Sequence, residues 1–264
     1  MIRLGTTYHI ISAPLHYALL NPGFVHPFQP VRQSLEDNCR DLLQGKLDVA
    51  LISPLDFARH SSDLKLIGDI AVYTTERSRY ALLFFRENLP SIHRVAVWRE
   101  NTLYHLLARI VLNEFYEMGI EWEHLTTLKP VEEILETYEA CLLEEEAAVS
   151  NYLKMDNYLD VVEEWHDKTG RHFVHQVMAV PRDGQTADFI ESLLQAREVG
   201  MRHLARIARE HATTGEVSWD AYFDLLNEIF SFYPTEETWE HLREYFEYLF
   251  YYGIIDYMPS MTFC

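Results

Sequence analysis

Between Gln33 and Phe57 the chain reads as an amphipathic helix stopped by Gly45, then the run Asp48-Val49-Ala50-Leu51-Ile52, then Ser53-Pro54 opening another helix. The run has no polar alternation, which predicts a strand covered on both faces, as in a parallel sheet flanked by helices. Ser53 before Pro54 supplies an N-cap and places backbone N–H groups at the carboxyl end of that strand. In open α/β sheets this is the end at which ligands, anionic ones in particular, are held.

A chain of 264 residues exceeds the usual single core of roughly 100–150 residues, so two lobes are expected. Hydrophobic content of 48% with 24% charged residues belongs to a folded globular protein. The longest apolar stretches, such as Ala81 to Phe85, fall far short of the ~20 residues needed to span a bilayer. Met1-Ile2-Arg3-Leu4-Gly5 does not begin a signal peptide, and no membrane partner and a cytoplasmic location are the expectation. Cys39, Cys141 and Cys264 are odd in number and widely spaced, which fits reduced thiols better than a disulfide framework or a thiolate metal cluster. The net charge of −19, from 41 acidic against 22 basic residues, argues against nucleic acid as a partner. Many acids lie in 121–167 at helical spacings, Glu144, Glu145 and Glu146 among them, and read as solvated helix faces.

Strands and helices alternate along the first two thirds of the chain. Strands are expected at Ile2–Thr6, Asp48–Ile52, Leu64–Val72, Tyr80–Phe85, Val95–Trp98, Ala147–Val149 and Phe173–Val180. Helices are expected at Val31–Gln44, Thr102–Met118, Val131–Glu144 and Tyr158–Lys168, the last ended by Gly170. From Thr186 the pattern is helical: Asp188–His211, Ser218–Phe232 and Thr235–Tyr252, with Ser218 and Thr235 as N-caps. The turn signal Leu89-Pro90-Ser91 opens a new unit, giving a discontinuous first lobe, 1–88 with 178–264, and an inserted second lobe, 89–177. Two crossings make a hinge, which suits a cleft closing on a small molecule.

Several stretches fall together in the order and spacing of one family: Arg3-Leu4-Gly5, Pro14-Leu15, Leu42 to Ser53, Leu82-Leu83-Phe84, Glu163-Glu164-Trp165 with Thr169-Gly170 and Phe173-Val174, and the closing Tyr252-Gly253-Ile254-Ile255. The chain thereby resembles the chorismate dehydratase family of menaquinone biosynthesis. The resemblance implies an α/β, two-lobed fold of the type II periplasmic-binding-protein kind with a helical C-terminal region. It also implies a cofactor-free elimination of water from chorismate or a related enolpyruvyl carboxylate, whose carboxylates are gripped by backbone N–H groups and hydroxyls. The family's Asn in the loop after the first strand falls on Ile11, and its Ser at the start of a later strand falls on Tyr80. The Ser/Thr-rich loop opening the second lobe's first helix is reduced to Arg99-Glu100-Asn101-Thr102, and the Gly-Asp after a later strand falls on Tyr152-Leu153.

The expected ligand-binding residues are Ser12, Ser53, Tyr80, Asn101, Thr102 and Asn151, with Ser150 beside them; all stand near predicted strand ends or helix starts. His9 is a titratable group in the first loop, and Arg77 and Arg79 precede Tyr80 as carboxylate partners. Thirteen histidines form no His-Glu-x-x-His spacing, and His172 and His175 point to opposite faces of one strand, so no metal is expected. G-x-G-x-x-G and G-x-x-x-x-G-K-[ST] loops are missing, so no nucleotide cofactor is expected either. Trp239, Leu242, Phe246 and Leu249 form one buried helical stripe, while Tyr and Phe on the other face of that helix suit a dimer contact, making the chain a monomer or a homodimer. Two functions stay open: a lyase acting on an enolpyruvyl carboxylate, and a non-catalytic small-molecule binding protein of the same fold.

Overall fold

A computed structural model describes residues 1–87, 91–127, 129–184, 189–213 and 217–264. In chain order the elements begin with β1 (Ile2–Thr6), α1 (Ala13–His16), β2 (Phe28–Arg32), α2 (Leu35–Leu43), β3 (Val49–Ile52), α3 (Pro54–Arg59) and β4 (Leu64–Thr74). Next come β5 (Ala81–Phe85), β6 (Arg94–Val97), α4 (Leu103–Ile110), β7 (Glu121–His124), α5 (Val131–Thr137), β8 (Ala140–Glu144), α6 (Glu145–Tyr152), β9 (Tyr158–Asp160) and α7 (Val161–Thr169). The chain closes with β10 (Phe173–Pro181), α8 (Ile190–Met201), α9 (Leu204–Ala212), α10 (Trp219–Asp224), β11 (Phe230–Ser231) and α11 (Glu236–Tyr251).

Two compact units result, Met1–Thr74 with His172–Cys264 and Thr75–Arg171. The sequence puts the divisions at 88/89 and 177/178. The first falls earlier because β5 pairs with β8 and β9 in the second unit's sheet, and the second because β10, from Phe173, pairs with β3 and β4 in the first unit's sheet. Leu89-Pro90 of the turn signal, and Thr186 and Asp188 at the expected start of the C-terminal helices, lie outside the described residues.

The first unit is built on a six-stranded sheet of order β11-β4-β10-β3-β1-β2. Strand β1 runs parallel to β2 and β3, whereas β10 runs antiparallel to β3 and β4. All four residues of β3 are buried, as an unbroken apolar run between helices requires. Strand β10 is buried from Phe173 to Val180, so the returning chain occupies the middle of the sheet. The stripe Trp239, Leu242, Phe246 and Leu249 of α11 is buried, and Phe246 stacks on Phe57 of α3 with ring centroids 6.4 Å apart. Helix α8 passes so close to α1 that a Cβ built on Gly200 would stand 1.8 Å from the Pro14 carbonyl oxygen.

In the second unit the sheet has the order β7-β6-β8-β5-β9, with β6 parallel to β7 and β8, and β5 antiparallel to β8 and β9. Its core joins Leu82, Phe84, Ala96, Cys141 and Leu143 of the sheet to Val131, Ile134 and Leu135 of α5. Because β6 and β8 are parallel, Trp98-Arg99 and Glu144-Glu145 emerge at the same edge.

Several local expectations are corrected. The helix expected over Val131–Glu144 stops at Thr137, and Ala140–Glu144 is strand β8, with Ala140 to Leu143 all buried. A four-residue apolar run at the centre of a sheet gains more from burial on both faces than from continuing a helix with one wet side. The strand expected at Ala147–Val149 lies inside α6. Edge strands β2, β7 and β9 have no counterpart in the sequence reading: β2 carries Pro30 and replaces the start of the helix expected from Val31, β7 reads Glu-Trp-Glu-His, and β9 takes the first three residues of the helix expected from Tyr158. The C-terminal helical expectation breaks into shorter helices, but Ser218 and Thr235 are N-caps as read, each accepting a backbone N–H three residues on.

Candidate functional site

In the first unit the carboxyl ends of the parallel strands β1 and β3 are tied by one side chain. Asn38, fully buried on α2, donates its amide N–H groups to the carbonyls of Thr6 (3.2 Å) and Leu51 (2.9 Å). Its Oδ1 has no partner among the described residues, and Gly5 faces it closely enough that a Cβ there would lie 2.4 Å away. The loop after β1 closes on itself: the Ser12 and Thr7 hydroxyls share a hydrogen bond of 2.6 Å, and Ser12 Oγ lies 3.1 Å from the His9 carbonyl. Ser12 and Ile11 are both fully buried, so the Ser12 hydroxyl serves the loop. Burial, reinforced by the charge of Arg32, holds His16 down at a pKa of about 3 and hence neutral.

Ser53 caps α3 as the Ser-Pro pair dictates, accepting the Asp56 N–H at 3.0 Å and donating to the Asp56 carboxylate at 2.7 Å. Helix α3 is only six residues long, and burial raises the pKa of the Asp56 carboxyl despite the Ser53 hydrogen bond. The cap's hydroxyl is thereby spent on its own helix.

The second unit carries a denser polar cluster where β6 and β8 end. Arg99 follows β6 and reaches Glu144 Oε2 at 3.3 Å and Glu145 Oε2 at 2.6 Å. Thr102, the N-cap of α4, accepts the His105 N–H at 3.0 Å and donates its hydroxyl to Glu144 Oε1. From the segment before β5, Tyr80 donates its hydroxyl to Glu146 Oε1 at 3.1 Å, while its carbonyl accepts the Glu145 N–H at 2.8 Å. Tyr104 of α4 packs edge-on against the Tyr80 ring, centroids 6.1 Å apart. Upstream, Asp160 collects the N–H groups of Ser78 (2.9 Å), Arg79 (2.6 Å) and Val162 (3.0 Å), which fixes the turn that delivers Tyr80.

Charge in this cluster is set by burial. The Glu144 side chain is 6% exposed, and desolvation lifts its pKa to about 7 against the opposing pull of the Thr102 hydroxyl and Arg99. Desolvation followed by the Glu146 and Glu145 charges keeps the Tyr80 phenol protonated, so it remains a donor. His105 Nδ1 accepts the Asn101 N–H at 2.9 Å, and burial lowers its pKa to about 4. Asn101 (φ 59°) and Glu145 (φ 62°) both sit in the left-handed region, a costly place for a glutamate in particular. Trp98, Arg99, Glu144 and Ala147 border a small pocket floored by Val97 and Leu142.

Of the six residues expected from sequence, Tyr80 and Thr102 therefore meet in this second-unit cluster, and Asn101 lies exposed at its rim. Asn151 does not reach it: its amide donates back to the Ala147 carbonyl at 2.9 Å, as the Ser150 hydroxyl does at 3.2 Å. Arg77 is exposed, and Arg79 lies over the Tyr152 ring, 4.7 Å from its centroid. Sequence reasoning missed Glu144, Glu145 and Glu146 because it ended a helix at Glu144, and it read Arg99 only as part of a shortened loop. The pair that follows the strand is Glu145-Glu146, not Tyr152-Leu153, and the positive φ of Glu145 is the conformation in which a glycine is at home. The apolar run Ala140–Leu143 before three acids was the available signal. His172, Glu237 and His241 bring ligand atoms within 4.8 Å of one another in the first unit. Yet His241 Nδ1 accepts the His172 N–H at 3.1 Å, which in the neutral ring leaves the proton on Nε2, so one nitrogen must give up its present role before the ring binds a metal.

The family model described as menaquinone biosynthesis matches residues 2–251. The chain belongs to the menaquinone biosynthesis family. The chorismate dehydratase of Thermus thermophilus is 26% identical over 227 residues, 79% of this chain and 81% of that protein. Among solved structures, a protein from Archaeoglobus fulgidus superposes with a TM-score of 0.73 at 16% identity, over 96% of this chain and 98% of that one. The periplasmic aliphatic sulphonate binding protein SsuA of Escherichia coli gives 0.72 at 14% identity, over 98% and 94%. A Candida albicans protein described as having the generic periplasmic binding protein fold gives 0.68 at 13%, over 97% and 91%. At such identities these likenesses establish the fold alone: the menaquinone biosynthesis family member has the periplasmic-binding-protein architecture expected from its sequence. Among its described residues no helix is long and apolar enough to cross a membrane.

Proposed function

We propose that this member of the family is a carbon–oxygen lyase of the chorismate dehydratase type, removing water from chorismate or a related enolpyruvyl carboxylate without a cofactor. The observation that carries the reading is the similarity to the Thermus chorismate dehydratase across 79% of the chain, inside a family match that spans residues 2–251. The second-unit cluster supplies what an elimination needs. Arg99 is a cation able to exchange a glutamate for a substrate carboxylate, Thr102 and Tyr80 are hydroxyl donors, and Glu144 is a carboxyl group that both holds and releases a proton near neutrality. Free thiols at Cys39, Cys141 and Cys264 agree with a reducing, cytoplasmic setting.

A second reading, a carboxylate-binding protein without turnover, is favoured by one observation. The positions at which the family resemblance puts Asn and Ser carry a fully buried Ile11 and a Tyr80 whose hydroxyl is committed to Glu146. One experiment separates the two. Purified protein is mixed with chorismate, and loss of the substrate's ultraviolet absorbance is followed together with the mass of the product. Formation of a product lighter by one water establishes the lyase. An unchanged chorismate pool, with thermal stabilisation of the protein by benzoate, establishes the binding protein.

A further inference from the structure

Metal ligands need not share one element. In the first unit His172 stands immediately before β10, while Glu237 and His241 stand one turn apart on a single face of α11. Folding brings them together across 69 positions of sequence: one ligand atom from each of the three lies within 4.8 Å of the other two. Each is placed by structure of its own. Strand β10 runs through the middle of the sheet, and its first residue, Phe173, is in register with Thr74 of β4. The His172 ring stacks on the Tyr73 ring with centroids 5.7 Å apart, and the Tyr73 hydroxyl is anchored on the Tyr233 carbonyl at 3.1 Å. Thr235 and Thr238 close a capping box around the first turn of α11, which carries Glu237. One turn on, the His241 ring meets the His172 ring edge-on, centroids 4.6 Å apart. Burial is graded from His241, buried, through His172, half-buried, to Glu237, exposed, so an ion from solvent meets the carboxylate first and the imidazoles behind it.

We propose that His172, Glu237 and His241 are the protein ligands of a divalent transition-metal site, for which zinc is the representative ion. The site is separate from the lyase reading and does not depend on it. Two imidazole nitrogens and one carboxylate oxygen suit zinc, whereas magnesium and calcium select oxygen throughout. Three atoms no more than 4.8 Å apart can share an ion about 2.8 Å from each, and zinc bonds of about 2.1 Å then require each side chain to close in by less than about 1 Å. Water takes the fourth position, on the side that the exposed Glu237 leaves open. A net charge of −19 favours a cation over the chain as a whole. One hydrogen bond is exchanged for coordination, the one that His241 Nδ1 accepts from the His172 N–H at 3.1 Å. An ion on Nδ1 takes that lone pair, and an ion on Nε2 sends the ring's proton to Nδ1, so the bond is given up in either case. The bound ion replaces it as the tie between the start of β10 and the first turns of α11.

The test titrates the full chain, stripped with EDTA, with zinc chloride in a calorimeter. One ion per chain is expected, with a Kd of about 10 μM or tighter, and zinc at roughly 100-fold excess over Kd should raise Tm by about 5 °C or more. Glu237→Gln should weaken binding at least ~10-fold, and His241→Gln should remove the saturable event. Glu236→Gln, one residue along the helix and outside the cluster, should bind zinc within about twofold of wild type. Magnesium at millimolar concentration should leave the zinc in place. No saturable uptake below about 1 mM zinc overturns the proposal. So does uptake that Glu237→Gln and His241→Gln both leave within about twofold, because the zinc then sits on other histidines. Displacement of the zinc by magnesium overturns it as well, since the ligands would then be oxygen. Should His241→Gln fail to fold, Glu237→Gln, a change at an exposed position, decides alone.

Discussion

Replacing Glu144 by Gln should change how the protein's stability responds to pH, whatever it does to catalysis. Burial raises this carboxyl from the ordinary 4.5 to about 7. Between those values the folded protein keeps a proton that the unfolded chain has released. The associated stability is fully present below pH 4.5 and is lost as pH rises through 7. A shift of that size corresponds to about 3 kcal/mol, and a side chain only 6% exposed needs no discount for solvent screening. Glutamine keeps the acceptor for the Thr102 hydroxyl and carries no titration, so it imitates the protonated glutamic acid. The neutral buried His16 and His175, each held at about 3, act in the opposite sense and gain stability as pH rises toward 6.5, but both variants share them. Urea unfolding followed by near-ultraviolet circular dichroism at pH 5, 6, 7 and 8 isolates the term as the difference between the two proteins. Wild type should lose up to about 3 kcal/mol relative to Glu144→Gln across this range, which for a chain of this size is a relative fall in Tm of about 6–12 °C. Curves parallel to within about 0.5 kcal/mol would refute the burial argument for Glu144.

Gly200→Ala should cost about 3 kcal/mol or more, because its Cβ would lie 1.8 Å from the Pro14 carbonyl oxygen, whereas Gly119→Ala, whose Cβ meets nothing, should stay within about 0.5 kcal/mol by thermal melting. Asn38→Ala removes both hydrogen bonds that join the ends of β1 and β3 and leaves two carbonyls without them; a loss of about 2 kcal/mol in urea unfolding is expected, and an unchanged midpoint would show that the tie is dispensable. Ser53→Ala removes the cap of α3 and the donor to the half-buried Asp56 carboxyl, so about 1 kcal/mol of stability should be lost, most visibly above the Asp56 pKa, where an ionised carboxylate would lack its hydroxyl partner.

Where local chemistry decides, the sequence was readable. Ser53, Ser218 and Thr235 cap helices because a side-chain oxygen three residues before a bare N–H is a local solution, whatever the rest of the fold does. Gly45 and Gly170 end helices with positive φ for the same reason. β3 and β10 could be read because unbroken apolar runs have only one stable surrounding, burial on both faces. Edge strands such as β7 were not readable, since a polar Glu-Trp-Glu-His becomes a strand only when β6 offers its N–H and C=O groups alongside.

The amino-acid order by itself thus determined the caps, the central strands and the family. Only the tertiary structure decided the charge state of Glu144. In the sequence it is one acid among three, as fit for solvent as its neighbours. Its burial raises its proton affinity against the pull of Thr102, 42 residues away, and Arg99, 45 residues away, and a charge's proton affinity follows from the dielectric and the dipoles that surround it in space, which no local pattern encodes.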